Sequence, residues 1–374
     1  MKIVFTGGGT LGHIYPALSI YDYIKERDET LEAIWIGTKR PIDRISVEKK
    51  GILFYPISSG KLRRYFSIKN FIDVFKVIIG YFQAKKILKK TKPDLVFSKG
   101  GYVSVVVVYA AKRLNIKVVT HESDISLGLA TRLNSKVASK IFKGFPLSEK
   151  EREDKRFIYS GNPIRDNLTF FKNIDIIEYR KQIESGKKLQ YSEDVKKVIK
   201  EINEKFNFKK KTLLVVGGSL GALEINNLIE QHLDQLLKDF NIYHQMGDKT
   251  FKKVDKKGYI CVKTIGNELG YLYRISDLVI SRCGANTLNE EIFFQKNILA
   301  IPLKNSSSRG EQVLNANYYK DMKLLEVLEK EMNFIDTIKK LLNNEIIKER
   351  SEEYRKLDIV EANEIIYNTI KEIN

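Results

Sequence analysis

Two stretches decide how this chain is read: Lys2-Ile-Val-Phe-Thr-Gly-Gly-Gly-Thr-Leu-Gly-His13 and Lys211-Thr-Leu-Leu-Val-Val-Gly-Gly-Ser-Leu-Gly-Ala222. Each passes from a short apolar strand through a glycine-rich turn into a segment with helical spacing of apolar residues, which is the opening of a βα unit. Further strands are expected at 33–36, 94–98 and 117–120 after the first start, and at 242–245, 277–281 and 298–301 after the second. Strands separated by helix-length segments imply parallel sheets. The expected fold is therefore α/β, with two doubly wound parallel-sheet domains facing a cleft and a boundary near Gly161-Asn162-Pro163. The first domain would take residues 1–163 plus a terminal helix, at about 352–374, folded back onto it. The second would take 164–351, with the charged stretch 170–210 as helical decoration on its surface.

Composition narrows the function classes. With 374 residues, 43% apolar and 30% charged, the chain is globular and neither fibrous nor disordered. Its two cysteines, Cys261 and Cys283, are too few for a disulfide scaffold, which points to a reducing compartment. The four histidines are scattered, and there is no Cys-x-x-Cys, His-x-x-x-His or Asp-x-Asp, so neither a metal nor another cofactor is expected. The apolar run at the start meets glycines at once, and the longest apolar run, 103–111, is about half of the roughly 20 residues a spanning helix needs. A cytoplasmic location follows as the expectation.

The net charge of +18 is unevenly placed. Residues 1–160 carry 30 Lys/Arg against 15 Asp/Glu, and the remaining 214 carry 35 against 32. Within 61–90 nine basic residues face a single acid, Asp73. The same segment spaces Ile68, Phe71, Ile72, Phe75, Ile78, Ile79 and Phe82 on one helical face. A basic amphipathic helix suits an anionic membrane surface, with Ile72, Phe75, Ile79, Phe82, Lys85 and Lys86 as the contacts. Packing of the stripe against the sheet is the alternative. No zinc knuckle or RNP-like aromatic motif speaks for nucleic acid.

Gly7-x-Gly9-x-x-Gly12 matches the dinucleotide fingerprint in form, yet Trp35-Ile-Gly-Thr-Lys-Arg40 offers no acid for a ribose. Lys39 and Arg40 keep an NADP enzyme as an alternative. The firmer inference is that both glycine turns let backbone N–H groups approach an anion at a helix start, as a pair of diphosphate substrates would require. Arg165 and Arg282 stand just past strand ends and are candidate phosphate contacts, where leaving-group charge needs cations. His13, directly after the first turn, is the leading candidate for a general base, against a packing or capping role. Glu122, paired in sequence with His121 at the end of another strand, is the second titratable candidate.

Together, Gly8-Gly-Thr-Leu-Gly-His-Ile-Tyr-Pro16, Gly100-Gly-Tyr-Val-Ser104, His121-Glu122, Gly161-Asn-Pro-Ile-Arg165, Val216-Gly-Gly-Ser-Leu-Gly-Ala222, Arg282-Cys-Gly-Ala285 with Glu290, and Gln312 before Asn315-Ala316 occur in the order seen in one family. They resemble the undecaprenyldiphospho-muramoylpentapeptide β-N-acetylglucosaminyltransferases of glycosyltransferase family 28, from residue 1 to about 320. The resemblance implies two Rossmann-like domains of the GT-B type. It also implies inverting, metal-independent transfer from UDP-N-acetylglucosamine to lipid I, the lipid-linked muramoylpentapeptide acceptor, at the cytoplasmic face of the membrane.

By that likeness Arg165 and Ser219 meet the donor diphosphate, the backbone around Ile265 the uracil, and Glu290 the ribose. Ala285, Asn286, Thr287, Glu311 and Gln312 surround sugar and phosphate, and Thr10, Leu11, Gly12, Asn162, Gly218 and Arg282 complete the donor contacts. Gly8, Gly9, Gly100, Gly101 and Tyr102 would hold the acceptor diphosphate, and His13 would take the proton of the acceptor's 4-hydroxyl. Four places depart from the family: Leu11 where it has Gly, Leu220 where it has Gln, Cys283 where it has Ser, and Ser123-Asp124 where it has Gln-Asn. The alternatives are a non-catalytic module binding nucleotide or anionic lipid, and a GT-B transferase using another UDP-sugar.

Overall fold

The computed structural model describes residues 1–60, 68–218, 221–303, 310–357 and 361–373, with side chains of the helix Ile68–Thr91 described from Asp73 onward. The residues separate into two compact units, Met1–Arg165 with Val360–Asn374, and Asp166–Ile359. The first contains a seven-stranded sheet: β1 (Lys2–Thr6), β2 (Glu32–Gly37), β3 (Leu53–Pro56), β4 (Leu95–Ser98), β5 (Lys117–Glu122), β6 (Lys140–Lys143) and β7 (Phe157–Tyr159), in the order β3-β2-β1-β4-β5-β6-β7. The second contains six: β8 (Lys211–Val216), β9 (Phe240–Gln245), β10 (Tyr259–Val262), β11 (Leu278–Ser281), β12 (Ile298–Ala300) and β13 (Glu326–Val327), in the order β10-β9-β8-β11-β12-β13. Every pairing between these strands is parallel.

Parallel strands covered on both faces are apolar at successive positions, and alternation then sorts the side chains between two cores. In the first sheet Ile3, Phe5, Trp35 and Phe97 go to one face, with Ile14, Leu18 and Ile24 packed on them. Val4, Ile34, Ile36 and Val96 go to the other, under Ala84, Leu88, Val103 and Val106 to Val108. Phe5 stacks on Trp35 with ring centroids 6.2 Å apart and lies 5.7 Å from Phe97. Truncating such a buried ring costs about 3–5 kcal/mol.

The terminal helix Ala362–Ile373 returns to the first unit, where Ile366 and Ile370 are fully buried beside the helix Tyr15–Arg27. Its entry is pinned by Asn363, whose amide donates to Ser19 Oγ at 3.0 Å and Ile164 O at 3.3 Å. The division falls at 359/360, later than the 352 expected, because the preceding helix Asn344–Arg355 is tied to the second unit. Tyr354 Oη donates to Lys296 O at 2.7 Å, and Arg350 donates to Asn297 Oδ1.

The stretch 170–210 is not surface decoration. The helices Asp166–Asn173, Ile176–Glu184 and Ser192–Lys205 bury Phe171, Tyr179, Val195 and Ile202. Phe171 meets Tyr179 and Tyr271 at ring distances of 5.5 and 6.4 Å. Charged residues occupy the outward positions of these helices and mask the apolar spacing beneath.

Candidate functional site

In the first sheet β1 is the strand at which the order reverses, between β2 and β4. Crossovers leave β1 and β4 toward opposite faces, so the loops at their carboxyl ends part and leave a crevice, the usual ligand position in an open α/β sheet. The loop after β1 carries Gly7 to His13, and the loop after β4 carries Lys99, Gly100 and Gly101. They touch. Gly101 has φ +79°, and a Cβ there would lie 2.6 Å from Gly8 O and 3.2 Å from His13 Cδ2, so only glycine lets the two loops approach. The first loop is braced from below: Asp43 Oδ2 accepts Gly9 N–H at 2.9 Å and Thr38 Oγ1 at 2.6 Å, and Trp35 Nε1 donates to Gly7 O at 3.2 Å. Arg40 donates to Gly9 O, which commits it to the loop rather than to a 2′-phosphate.

These bonds select which loop amides remain for an anion. Gly9 N–H goes to Asp43, and Gly100 N–H to Ser98 Oγ at 3.2 Å. Gly8 and Gly101 keep N–H groups with no acceptor among the described residues. Thr10 is exposed and serves as the residue before the 3-10 turn Leu11–His13, while Leu11 and Gly12 are half-buried.

His13 is half-buried in that turn and its Nδ1 lies 3.1 Å from Lys99 O. A carbonyl only accepts, so Nδ1 carries the proton and Nε2 is left with a lone pair. Burial and the Lys99 ammonium lower the His13 pKa below its ordinary 6.5, opposed by Glu122, the Lys99 carbonyl and Asp43. The lowered pKa favours the neutral imidazole. Glu122 is buried, and its two oxygens accept Asp124 N–H at 3.2 Å and Gly128 N–H at 2.9 Å, so it shapes the loop after β5 as well as adding charge near His13. His121 is fully buried, donates from Nε2 to Gly161 O at 3.0 Å, and has its pKa driven well down by burial and then by Lys99. It is a neutral structural residue. Asn162 joins the same edge by donating to Ser123 O at 3.1 Å, and Arg165 stands 5.6 Å over the Tyr15 ring.

The second sheet repeats the topology, with β8 between β9 and β11 at its switch. A cavity of about 250 Å³ opens there, lined by Val216, Gly217, Gly218, Arg282, Gly284, Thr287 and Gln312. Gly218 and Gly221 have φ +80°, and Arg282 Nη1 reaches across from the loop after β11 to Gly221 O at 3.0 Å. Arg282 Nε is buried without a hydrogen-bond partner among the described residues. The helix Ala285–Phe293 begins at Gly284 with no side-chain cap, which leaves its positive end at the cavity. Guanidinium, glycine loop and helix start are together the kind of groups that can hold an anion. Gln312 Oε1 accepts Leu303 N–H at 3.0 Å, and Gln245 Oε1 accepts Ile265 N–H at 3.2 Å. Ala285 and Glu290 are buried on the same helix, and Asn286 and Glu311 are half-buried at the starts of theirs. Ser219 and Leu220 lie outside the described residues.

Both halves of the chain match models of one family. Residues 3–143 match the glycosyltransferase family 28 N-terminal domain, and residues 212–366 match the family 28 C-terminal domain. The chain belongs to glycosyltransferase family 28. It is 42% identical, over 92% of its length and 90% of the relative's, to the UDP-N-acetylglucosamine–N-acetylmuramyl-(pentapeptide) pyrophosphoryl-undecaprenol N-acetylglucosamine transferase of Clostridium botulinum (strain 657 / Type Ba4). Identity to the protein of that name from Staphylococcus carnosus (strain TM300) is 40%, over 95% and 93%. Among solved structures it resembles Acinetobacter baumannii MurG at a TM-score of 0.69 and 22% identity, covering 99% of both chains, which shows the shared GT-B fold.

For a family 28 enzyme, the structure brings Gly218, Arg282, Thr287 and Gln312 to one cavity, and Gly8, Gly101, His13 and Glu122 to one edge of the first sheet. Thr10, Leu11, Gly12, Asn162 and Arg165 belong to the first unit, apart from that cavity's lining. Tyr102 packs against Gly9, a Cβ on which would lie 2.7 Å from its ring. Asp43, Lys99, Gln245 and Glu291 were missed. Lys99 alone had a signal, its place directly before Gly100-Gly101.

The helix Ile68–Thr91 buries Asp73, Gly80, Ala84 and Leu88 toward its unit. It exposes Phe75 (66%), Ile78 (48%), Ile79 (50%) and Phe82 (61%), so this part of the stripe is no core face. Lys86, Lys89 and Lys90 are also exposed, and Lys85 is half-buried. The Ile72 side chain is outside the description. Among the described residues no helix is long and apolar enough to cross a membrane, and no group of three His, Cys, Asp or Glu is placed to hold a metal ion.

Proposed function

We propose that this family 28 chain transfers N-acetylglucosamine from UDP-N-acetylglucosamine to the 4-hydroxyl of the muramoyl sugar in undecaprenyl-diphospho-N-acetylmuramoyl-pentapeptide, inverting the anomeric centre and releasing UDP. The observation that carries it is the His13 ring: a neutral imidazole with Nδ1–H fixed on Lys99 O and Nε2 open, beside free amides at Gly8 and Gly101. The acceptor diphosphate sits on those amides. His13 Nε2 takes the hydroxyl proton as the oxygen attacks the anomeric carbon. The donor diphosphate sits in the 250 Å³ cavity, where the Arg282 guanidinium and the uncapped helix start stabilise the charge that builds on the leaving UDP. Glu290 binds the ribose, and the carbonyl side of the Ile265 peptide meets the uracil.

Similarity to relatives named for this reaction, at about nine-tenths coverage, supports the substrate pair. The outward face of the helix Ile68–Thr91 supports a peripheral position on an anionic membrane, at its cytoplasmic face where a nucleotide sugar is available. The test is UDP release from purified protein given the donor and a lipid-linked muramoylpentapeptide, with other UDP-sugars in parallel. His13→Ala lowers turnover by about 10²-fold or more while donor binding persists. No release from folded protein, or equal rates with and without His13, rejects the reading in favour of a binding module; faster turnover of another UDP-sugar rejects the donor.

A further inference from the structure

Lys99 is a lysine where a surface lysine would not be. It directly follows β4, its backbone N–H donates to Thr6 O at 2.9 Å, and the residue is only 2% exposed. Its ammonium has one hydrogen bond, to Ser123 Oγ at 2.6 Å, and no ion pair among the described residues. A buried ammonium with a hydroxyl as sole partner is costly, so its retention calls for a role. Burial pushes its pKa down to about 8, with Glu122 and Asp124 pulling the other way. It therefore carries its charge at neutral pH.

That charge acts on His13. Two carboxylates, Glu122 and Asp43, bear on the ring and favour the imidazolium, while Lys99 is the cation that opposes them. The Lys99 carbonyl meanwhile takes Nδ1–H at 3.1 Å. We propose that Lys99 is the positioning residue for His13: its carbonyl fixes the tautomer that exposes Nε2, and its buried ammonium cancels the nearby carboxylates so that the ring waits in the proton-accepting form. No bond is made or broken by Lys99; the only transfer is the acceptor's hydroxyl proton to Nε2. The inference rests on His13 being the base, but the ring's electrostatics can be read without turnover.

The experiment follows the His13 ring titration by NMR in ¹⁵N-histidine-labelled, unliganded protein, assigned with His13→Ala, alongside the pH profile of kcat/KM. Lys99→Met raises the His13 midpoint, by on the order of one unit, because the carboxylates are left unopposed. The acid limb of kcat/KM moves up with it. Glu122→Gln shifts the midpoint the other way. Lys99→Gln, which keeps a polar tail without charge, reproduces the rise if Lys99→Met fails to fold, and Lys99→Arg restores the wild-type midpoint. A midpoint that stays in place in both neutral variants overturns the inference, as does a rise in acceptor KM alone, which would make Lys99 a phosphate contact. A midpoint that moves while the rate limb does not instead overturns the reading of His13 as the base.

Discussion

Glu291 offers the sharpest stability test in the second unit. It is fully buried on the helix Ala285–Phe293, with Oε2 accepting Ser281 Oγ at 3.0 Å and Oε1 without a partner among the described residues. Burial, with Glu290 adding to it, pushes its pKa from an ordinary 4.5 up to about 8, although the Ser281 hydrogen bond resists. The folded state thus keeps the proton at neutral pH and the unfolded chain gives it up. Between about pH 4.5 and 8 unfolding releases a proton, so stability falls as pH rises through that window and levels off above it. At 1.36 kcal/mol per unit the shift sets a ceiling of about 5 kcal/mol on the loss. Glu291→Gln keeps the shape and removes the titration. Urea melts of both proteins at pH 5, 6, 7 and 8 should show wild type losing stability relative to Glu291→Gln, by a difference that widens with each step. Parallel curves would refute a protonated Glu291, and so would a wild type that gains on the variant as pH rises.

Two further outcomes follow from named contacts. Phe75→Asp with Phe82→Asp alters two side chains that are 66% and 61% exposed, so the melting temperature holds while binding to anionic vesicles drops at least about tenfold in a flotation assay; unchanged flotation would remove the membrane role from this helix. Asp43→Ala leaves Gly9 N–H and Thr38 Oγ1 without their acceptor, destabilises the first unit by about 1–3 kcal/mol, and raises the KM for the lipid acceptor more than that for the nucleotide sugar. Equal changes in the two KM values would separate the glycine loop from acceptor binding.

The two βα starts were legible because strand, glycine turn and helix are contiguous there, and the turn conformations leave little choice of residue. Five of the short strands were not. β3, β6, β7, β10 and β13 span two to four residues each, and a pair such as Glu326–Val327 has no period to detect. The outward stripe on the helix Ile68–Thr91 was visible as a pattern, but its direction was not, since a hydrophobic face reads alike whether it meets the sheet or a lipid. Buried ionisable side chains were the least legible of all. Asp43, Lys99 and Glu291 belong to residue types that are almost always solvated, and only their neighbours in space make them exceptions.

Topology explains why each site is written in two distant pieces. A glycine loop after the first strand of a doubly wound sheet is flanked in space by the loop after the strand on the far side of the switch, which arrives only after intervening crossovers. Gly8 therefore meets Gly101, and Gly221 meets Arg282, although about 90 and 60 residues separate them. Neither piece suffices alone: the first loop gives His13 its place, but the second supplies the carbonyl that its Nδ1 meets and an ammonium that, after burial, lowers its pKa. In the second unit the glycine turn leaves room for an anion, and the loop after β11 brings the guanidinium and the helix start to it. An anion cradle and its chemistry thus come from opposite sides of one strand-order reversal, so a change that slips β4 or β11 in register would disable the site while leaving every glycine of the leading motif intact.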